Sequence, residues 1–272
     1  MEEDNLNSNK MKSSYTMKYL QKFKIFENSS FPTDRGEIRR ICEEYKIRKY
    51  NINQDGSVDV NGTVNLSRKG LTRLPLKFGR VSGRFYCYDN KLTNLEGSPS
   101  SVRGDFWCYD NQLTSLEDGP SSVGGLFWCH NNQLTSLIGS PSSVGGDFWC
   151  QENNLTSLEG SPSSVGGRFW CYKNQLTGLE GSPKSVGQFI CDEPFKTLIR
   201  LFNSYEDFKL SVEKEDWLEG NKINWVKFKD VIEEGEYTKR RSTVTGFLYP
   251  DSDLLSLVEY IEGFEFTHKP KK

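Results

Sequence analysis

Between residues 62 and 191 the apolar positions follow neither a helical nor a simple alternating pattern but a fixed grid. Cys87, Cys108, Cys129, Cys150 and Cys171 stand 21 residues apart, and Cys191 follows after 20. Reading outward from each cysteine gives a unit Gly-x-Phe-Trp-Cys-x-x-Asn-x-Leu-Thr-Ser-Leu-Glu-Gly-Ser-Pro-Ser-Ser-Val-Gly. Five close copies start at Gly83, Gly104, Gly125, Gly146 and Gly167. A degenerate copy spans residues 62–82, with Leu66 at the cysteine position and Lys69 at the asparagine position, and a truncated one starts at Gln188. A fixed period of this size predicts a solenoid, in which each repeat is too small to fold alone and stacks on its neighbours.

The unit reads as one coil. Phe and Cys, two residues apart, predict one face of a short strand. Leu113 and Leu116 of the copy starting at Gly104 continue the apolar side and Val123 closes the coil. The asparagines (Asn90, Asn111, Asn132, Asn153, Asn174) sit where the chain leaves the strand, and there an amide can satisfy turn backbone groups that would otherwise be buried unpaired. The Gly-Ser-Pro-Ser-Ser return path is too rich in breakers for an α-helix, which predicts extended chain or short 3₁₀ turns.

Stacked copies expose a core cross-section at each end, so the flanks are expected to be caps. Upstream, Asp34-Arg35-Gly36-Glu37 predicts a helix start, with Ile38, Ile41 and Cys42 on the buried side. Tyr50 and Ile52, a turn at Asp55-Gly56, then Val58 and Val60 predict a hairpin. Residues 1–16 are polar and aperiodic, which predicts disorder, and Met17 opens a short amphipathic segment and is an alternative start. Downstream, helical spacing is read over residues 193–202, 205–217 (Phe208, Leu210, Val212), 224–234 and 253–261, with a strand over 242–247.

The side of the strand opposite Phe and Cys holds the candidate site. Between Phe and Cys stand Tyr86, Trp107, Trp128, Trp149 and Trp170, then Ile190; after Cys stand Tyr88, Tyr109, His130, Gln151 and Tyr172, then Asp192. Five aromatic rungs at a strand spacing of about 4.8 Å make a strip roughly 20 Å long. A contiguous apolar patch of that extent is seldom left exposed without a use, and Trp and Tyr are the usual interface anchors. Partner-binding residues are therefore expected to be Tyr86, Trp107, Trp128, Trp149, Trp170, Tyr88, Tyr109, His130 and Tyr172. Cross-rung stacking that merely stabilises the sheet is the competing reading, as is a strip covered by the C-terminal cap or by a second copy of the chain. The copy starting at Gly125 deviates most, with Leu126, His130 and Ile138; Ile138 is expected at the surface where its equivalents are Glu96, Glu117, Glu159 and Glu180.

Composition narrows the functional classes. The 272 residues carry 35 Lys and Arg against 37 Asp and Glu, a net charge of −2, which lacks the basic excess of a general nucleic-acid binder. Residues 1–82 are basic by +6, whereas 83–187 and 188–272 are each acidic by −4. Asp105, Asp110, Asp147 and Glu152 beside the strip would repel phosphates, although Arg84 and Arg168 lie toward its ends, so a peptide or protein fits better than single-stranded DNA. A glycan is the alternative, since sugars stack on Trp faces and hydrogen-bond to carboxylates. No run of about 18 apolar residues is found, and the acidic start at Met1 has no secretion-signal pattern; no membrane partner is expected, and a cytoplasmic location is.

The seven cysteines do not suggest metal or redox chemistry once placed on the grid. One thiol per coil forms a line that cannot converge tetrahedrally on zinc, and parallel side chains on neighbouring coils would strain a disulfide. They read as reduced core thiols. His130 and His268 have no nucleophile at recognisable spacing, and the Gly-Gly pairs lack the Lys-Ser/Thr of a phosphate loop. No catalytic residue, cofactor or metal is assigned, and no enzymatic activity is expected.

The strand segment Gly-x-x-Phe-x-Cys-x-x-Asn-x-Leu resembles the leucine-rich repeat, with Phe and Cys in place of two of its leucines. The repeat length and the Leu-Thr-Ser-Leu motif resemble the short bacterial repeats of secreted effector proteins. The copies, together with Asp55-Gly56-Ser57-Val58-Asp59-Val60 and Leu74-Pro75-Leu76-Lys77-Phe78-Gly79, are still more similar to repeat proteins of large tailed phages and marine metagenomes. The resemblance implies a leucine-rich-repeat-like β-solenoid with a parallel sheet on its concave face and a general role in binding, without naming a partner. It also implies a phage accessory or host-modulating protein acting inside a bacterial host. Some effector relatives carry a ubiquitin-ligase domain with a catalytic cysteine after the repeats; no cysteine follows Cys191 here, so that activity does not carry over. The expected organisation is a flexible segment (1–33), a mixed helix-and-hairpin cap (34–61), a solenoid of six repeats and a partial one (62–191) and an α-rich cap (192–272). The expected function is protein–protein interaction through the aromatic face. The alternatives are glycan or small-ligand binding on the same ladder, or self-assembly into a homo-oligomer.

Overall fold

The computed structural model describes residues 30–191, 205–219, 222–224, 227–228 and 265–267. Helix α1 (Arg35–Glu44) starts where the Asp34 side chain accepts from the Glu37 N–H at 2.8 Å, and it turns Ile38, Ile41 and Cys42 into the core. Strands β1 (Tyr50–Ile52) and β2 (Val58–Val60) form an antiparallel hairpin closed over Asp55 and Gly56. From there every neighbouring pair of strands in the main sheet is parallel.

Each coil contributes to two parallel ladders. One is built from the Phe–Trp segments: β3 (Val64–Asn65), β5 (Phe85–Tyr86), β7 (Phe106–Trp107), β9 (Phe127–Trp128) and β11 (Phe148–Trp149). The other is built from β4 (Phe78–Val81) and the Ser–Val segments β6 (Ser101–Val102), β8 (Ser122–Val123) and β10 (Ser143–Val144), and hairpin strand β2 joins it at its first rung. In β12 (Ser164–Trp170) and β13 (Ser185–Ile190) the two segments run together as one strand, so the ladders meet in a 13-stranded sheet. The Ser–Val pairing is a second ladder beyond the one that the Phe-x-Cys spacing predicts. Its physical basis is register: once Phe stacks on Phe at 21 residues, Val is carried onto Val, and the intervening glycines allow coil backbones to approach closely. No described coil contains a helix.

The 20-residue final step has a local cause. Val165 pairs with Val186, whereas Arg168 pairs with Gln188, because the last coil has a single glycine (Gly187) where the preceding one has Gly166 and Gly167. A bulge on β12 absorbs the missing residue.

The core is a set of columns. Phe85, Phe106, Phe127, Phe148 and Phe169 are fully buried, with Phe189 half-buried at the end, and successive rings stack at 5.1 to 5.5 Å. Cysteine, leucine and valine columns run beside them, all buried from Cys87 to Cys171. Burial pushes the Cys87, Cys108, Cys129 and Cys150 thiols far above their ordinary value and Cys42 up to about 11, so these thiols stay protonated.

After the coils, α2 (Tyr205–Glu215) packs against β13, with Phe208 and Trp217 buried. Leu210, which the helical spacing places with Phe208 and Val212, is instead 64% exposed. The expected α-rich C-terminal part also contains a three-stranded sheet, β14 (Leu218–Glu219), β15 (Lys222–Asn224) and β16 (Glu265–Thr267). Strand segments of two or three residues leave too little alternation for sequence reading to detect. The amphipathic segment at Met17, the helices over 193–202 and 253–261, the strand over 242–247 and all but a few residues of the helix over 224–234 lie outside the described residues. No described helix is long and apolar enough to cross a membrane.

Candidate functional site

Residues that alternate with Phe and Cys emerge on the other side of the Phe–Trp ladder. Tyr86, Trp107, Trp128, Trp149 and Trp170 form one continuous column, with centroids 4.4, 4.4, 4.4 and 4.9 Å apart. The indole planes of Trp107 and Trp128 differ by 4°. In the adjacent column Tyr88, Tyr109 and His130 stack at 4.6 Å per step. Tyr172 belongs to the same column but is separated from His130 by Gln151, and it meets the strip through Trp170 at 5.8 Å and 53°.

All nine expected residues therefore lie on one surface, but they do not stand clear of it. Each is half-buried; along the Trp column and from Tyr88 to His130 the flat face of one ring is covered by the next, and Tyr172 leans on Trp170. The strip presents ring edges to solvent and keeps its faces for itself. Its four indole N–H groups, of Trp107, Trp128, Trp149 and Trp170, are shielded from solvent and have no hydrogen-bond acceptor.

The asparagine column holds the strip's outer border. The Asn132 amide donates to the carbonyls of Cys108, Cys129 and His130 at 3.1, 3.0 and 3.3 Å, and its Oδ1 accepts from the Leu113 N–H at 3.0 Å. The same arrangement recurs at Asn90, Asn111, Asn153 and Asn174. Each asparagine bridges two coils and so fixes the spacing that the rings need. In the first coil Lys69 stands at this position, and its N–H is served by Asn90 Oδ1 of the next coil.

Charges flank the rings in two columns. One reads Arg84, Asp105, Leu126, Asp147, Arg168; the other reads Arg68, Asp89, Asp110, Asn131, Glu152, Lys173. Ion pairs run along the columns between adjacent coils: Arg84–Asp105 at 3.1 Å, Arg168–Asp147 at 3.2 Å, Arg68–Asp89 at 3.1 Å and Lys173–Glu152 at 2.6 Å. Asp105 Oδ1 also accepts from the Leu126 N–H and Asp147 Oδ1 from the Arg168 N–H, so these carboxylates brace the backbone of the following coil. The bases at the ends lie over rings: Arg68 by Tyr88, Arg168 by Trp170 and Lys173 by Tyr172, at 5.4 to 5.8 Å. Lys173 pulls the Glu152 carboxyl below its ordinary value.

Two polar side chains stand at the middle of the second column, the stacked His130 and then Gln151, which ends the run of rings. His130 Nδ1 and Gln151 Oε1 are both shielded from solvent and have no partner, and Gln151 is 5% exposed. Burial lowers the His130 pKa from its ordinary 6.5, more strongly than Asp110 and Glu152 raise it. Sequence reading does not place Gln151 in the site; the available signal is that it alone replaces a ring after the cysteine in the five close copies. Ile138 is 47% exposed, as its position among glutamates predicts. Among the described residues no group of three or more His, Cys, Asp and Glu is placed to hold a metal ion. No family model, curated protein or solved structure matches the chain.

Proposed function

We propose that the chain is a non-enzymatic interaction module that binds a protein partner through the aromatic face of its Phe–Trp ladder. The observation that carries this reading is the unbroken five-ring column from Tyr86 to Trp170, bordered by a second column and by charged rims. An apolar centre with a polar rim is the anatomy of a protein interface. Stacking alone is a poorer account of the residue choice. The core column achieves stacking with phenylalanine, whereas four indoles leave N–H groups unpaired, at about 1–3 kcal/mol for each buried unsatisfied donor.

Glycan binding is less well supported by this geometry. A sugar packs on an open ring face, and the inner rungs have both faces covered by neighbours at 4.4 to 4.9 Å. As finer points of the same proposal, the coil is a leucine-rich-repeat-like unit, and the chain serves as a phage-encoded accessory or host-modulating protein in the cytoplasm of a bacterial host. The Phe-x-Cys-x-x-Asn-x-Leu pattern supports the first point, and the likeness of the copies and of residues 55–60 and 74–79 to phage repeat proteins supports the second.

The test is affinity capture from host lysate with mass spectrometry, using wild type and the double variant Trp128→Ala/Trp149→Ala. The expected result is a protein retained by wild type and lost by the variant. Equal capture by both, with molar mass by light scattering also unchanged, would sink the reading.

A further inference from the structure

Along one flank of the strip the charge pattern is a palindrome centred on the coil of Trp128, and along the other it matches over the three middle coils and differs at the ends, where Asp89 stands opposite Lys173. Reading along one flank gives base, acid, neutral, acid, base (Arg84, Asp105, Leu126, Asp147, Arg168). The other gives base, acid, acid, neutral, acid, base (Arg68, Asp89, Asp110, Asn131, Glu152, Lys173). Over the three middle coils the rims therefore carry Asp105, Asp110, Asp147 and Glu152 and no Lys or Arg. The chain's own cations stop at the two ends, where Arg68, Arg168 and Lys173 sit over rings, Arg84 donates to the Tyr86 hydroxyl, and each pairs with a carboxylate of a neighbouring coil.

This symmetry disfavours a second copy as the occupant. A two-fold axis along the strands, centred on Trp128, sets Asp105 against Asp147 and Arg84 against Arg168. A two-fold along the solenoid axis sets Asp105 against Asp110 and Asp147 against Glu152. At the middle coils either face-to-face dimer opposes like charges across an isologous contact, and opposite charges meet only at the ends, Asp89 with Lys173 in the first case and Arg84 with Asp89 in the second.

A second observation lies inside the acidic centre. The run of rings Tyr88, Tyr109, His130 breaks at Gln151, whose carbonyl oxygen has no donor although the side chain is only 5% exposed. Next to it in the same column, His130 Nδ1 is likewise unpartnered. The titratable groups facing this ring are Asp110, Glu152 with its partner Lys173, and Tyr109; burial keeps the imidazole neutral near pH 7. A neutral imidazole and an amide oxygen offer acceptors, and the flanking carboxylates offer more. Buried acceptors without donors are unfavourable until a donor arrives. The enclosed position of both atoms means that the side chains must part slightly to admit it.

Resting on the reading of the aromatic face as the binding surface, we infer that its partner is a basic protein segment, which places an arginine or lysine side chain in the break between His130 and Gln151. The cation is held by the Gln151 carbonyl and by the carboxylate of Asp110, whose partner is the neutral Asn131 amide, whereas Glu152 is already paired with Lys173; the segment's apolar residues lie along the Trp column on either side. Arginine suits the break better than lysine, because its planar fork can meet several acceptors at once.

The test follows the full-length chain by amide NMR at low ionic strength, where exposed charges are little screened. The signals observed are the Gln151 side-chain amide and the indole N–H groups of Trp128 and Trp149. N-acetyl-arginine amide, its neutral isostere N-acetyl-citrulline amide and N-acetyl-glutamate amide are titrated separately. Arginine is expected to shift these signals with an affinity about tenfold above citrulline, the scale of one charge-assisted hydrogen bond, and glutamate not at all. Gln151→Tyr, which restores the ring found at Tyr88, Tyr109 and Tyr172, should abolish the arginine response. Gln151→Glu, which keeps side-chain length and adds a charge, should strengthen it, and it carries the test if the tyrosine variant does not fold. Equal responses to arginine and citrulline, or an arginine response indifferent to both substitutions, overturns the inference. Light scattering that shows a dimer lost on Trp128→Ala/Trp149→Ala overturns it in favour of a second copy. If that double variant loses its captured partner while arginine ignores Gln151, the aromatic face stands and the basic partner falls.

Discussion

At the residue scale the coil depends on side chains that complete backbone hydrogen bonds, more than on any single apolar contact. Asn132 is the clearest case, serving three carbonyls and one N–H over two coils. Asn132→Ala removes all four bonds at once; the Cys108, Cys129 and His130 carbonyls keep Asn111, Asn153 and the Asp110 N–H as donors, but the Leu113 N–H loses its acceptor, which should cost about 2 kcal/mol, above the roughly 1 kcal/mol typical of point substitutions. Urea unfolding should show this as a lower midpoint at unchanged slope. A second consequence concerns His130, whose pKa burial lowers from its ordinary 6.5. Below that ordinary value the unfolded chain takes up a proton that the folded chain still refuses. Stability is therefore full above about pH 6.5 and declines as pH falls toward the lowered folded value, levelling off beneath it. His130→Tyr, which copies Tyr109, should flatten this decline between about pH 7.5 and 5, followed as the urea midpoint. Over that range Glu152 stays ionised in both proteins, since Lys173 holds its carboxyl below the ordinary 4.5.

At the scale of strands and turns, legibility in the sequence follows from repetition. Phe85 and Cys87, and their equivalents down to Phe169 and Cys171, alternate with half-buried rings, so spacing alone places Phe and Cys inside and Trp outside. The asparagine role is legible for a related reason: an amide at a strand exit has backbone groups to serve. The Ser–Val ladder is harder to read, because two residues of strand carry no periodicity of their own and are paired only through the register set elsewhere. The state of the aromatic strip is also hidden. Alternation says that Trp107 and Trp128 leave the core, but it cannot say that their faces close on each other at 4.4 Å, which depends on ring orientation. Gln151 was obscured because a single polar replacement in a repeat looks like drift until its burial and unpaired oxygen are known. Downstream of β13 no repeat disciplines the pattern, and the exposed Leu210 and the small sheet from Leu218 depart from a helical reading.

At the scale of the whole molecule, stability is a sum over coils and the contacts between neighbours, which makes the coil the unit that can be removed. Deleting residues 125–145 joins Gly124 to Gly146 and leaves every remaining segment facing an equivalent one: Phe106 meets Phe148, Trp107 meets Trp149, Val123 meets Val165, and Asn132 is replaced in its bridging role by Asn153. Nothing in the core changes type, and both ladders lose one rung. This 21-residue deletion should therefore give a folded chain with the same far-ultraviolet circular dichroism shape, a lower urea midpoint and a smaller denaturant slope, because less surface is exposed on unfolding. Deleting only residues 125–134 removes half a coil, sets the Phe–Trp ladder against return-path segments and strips the rungs on either side of their partners. That variant should fail to fold cooperatively. If the full-coil deletion were as damaging as the half-coil one, nearest-neighbour stacking would not be the basis of this fold. The deletion also bears on binding, since it removes Trp128 and His130 and brings Asp105 next to Asp147 in the flanking column. The strip becomes one ring shorter and its acids more concentrated, so a basic partner that needs only the charged centre should still bind, whereas one that needs the full aromatic length should be lost.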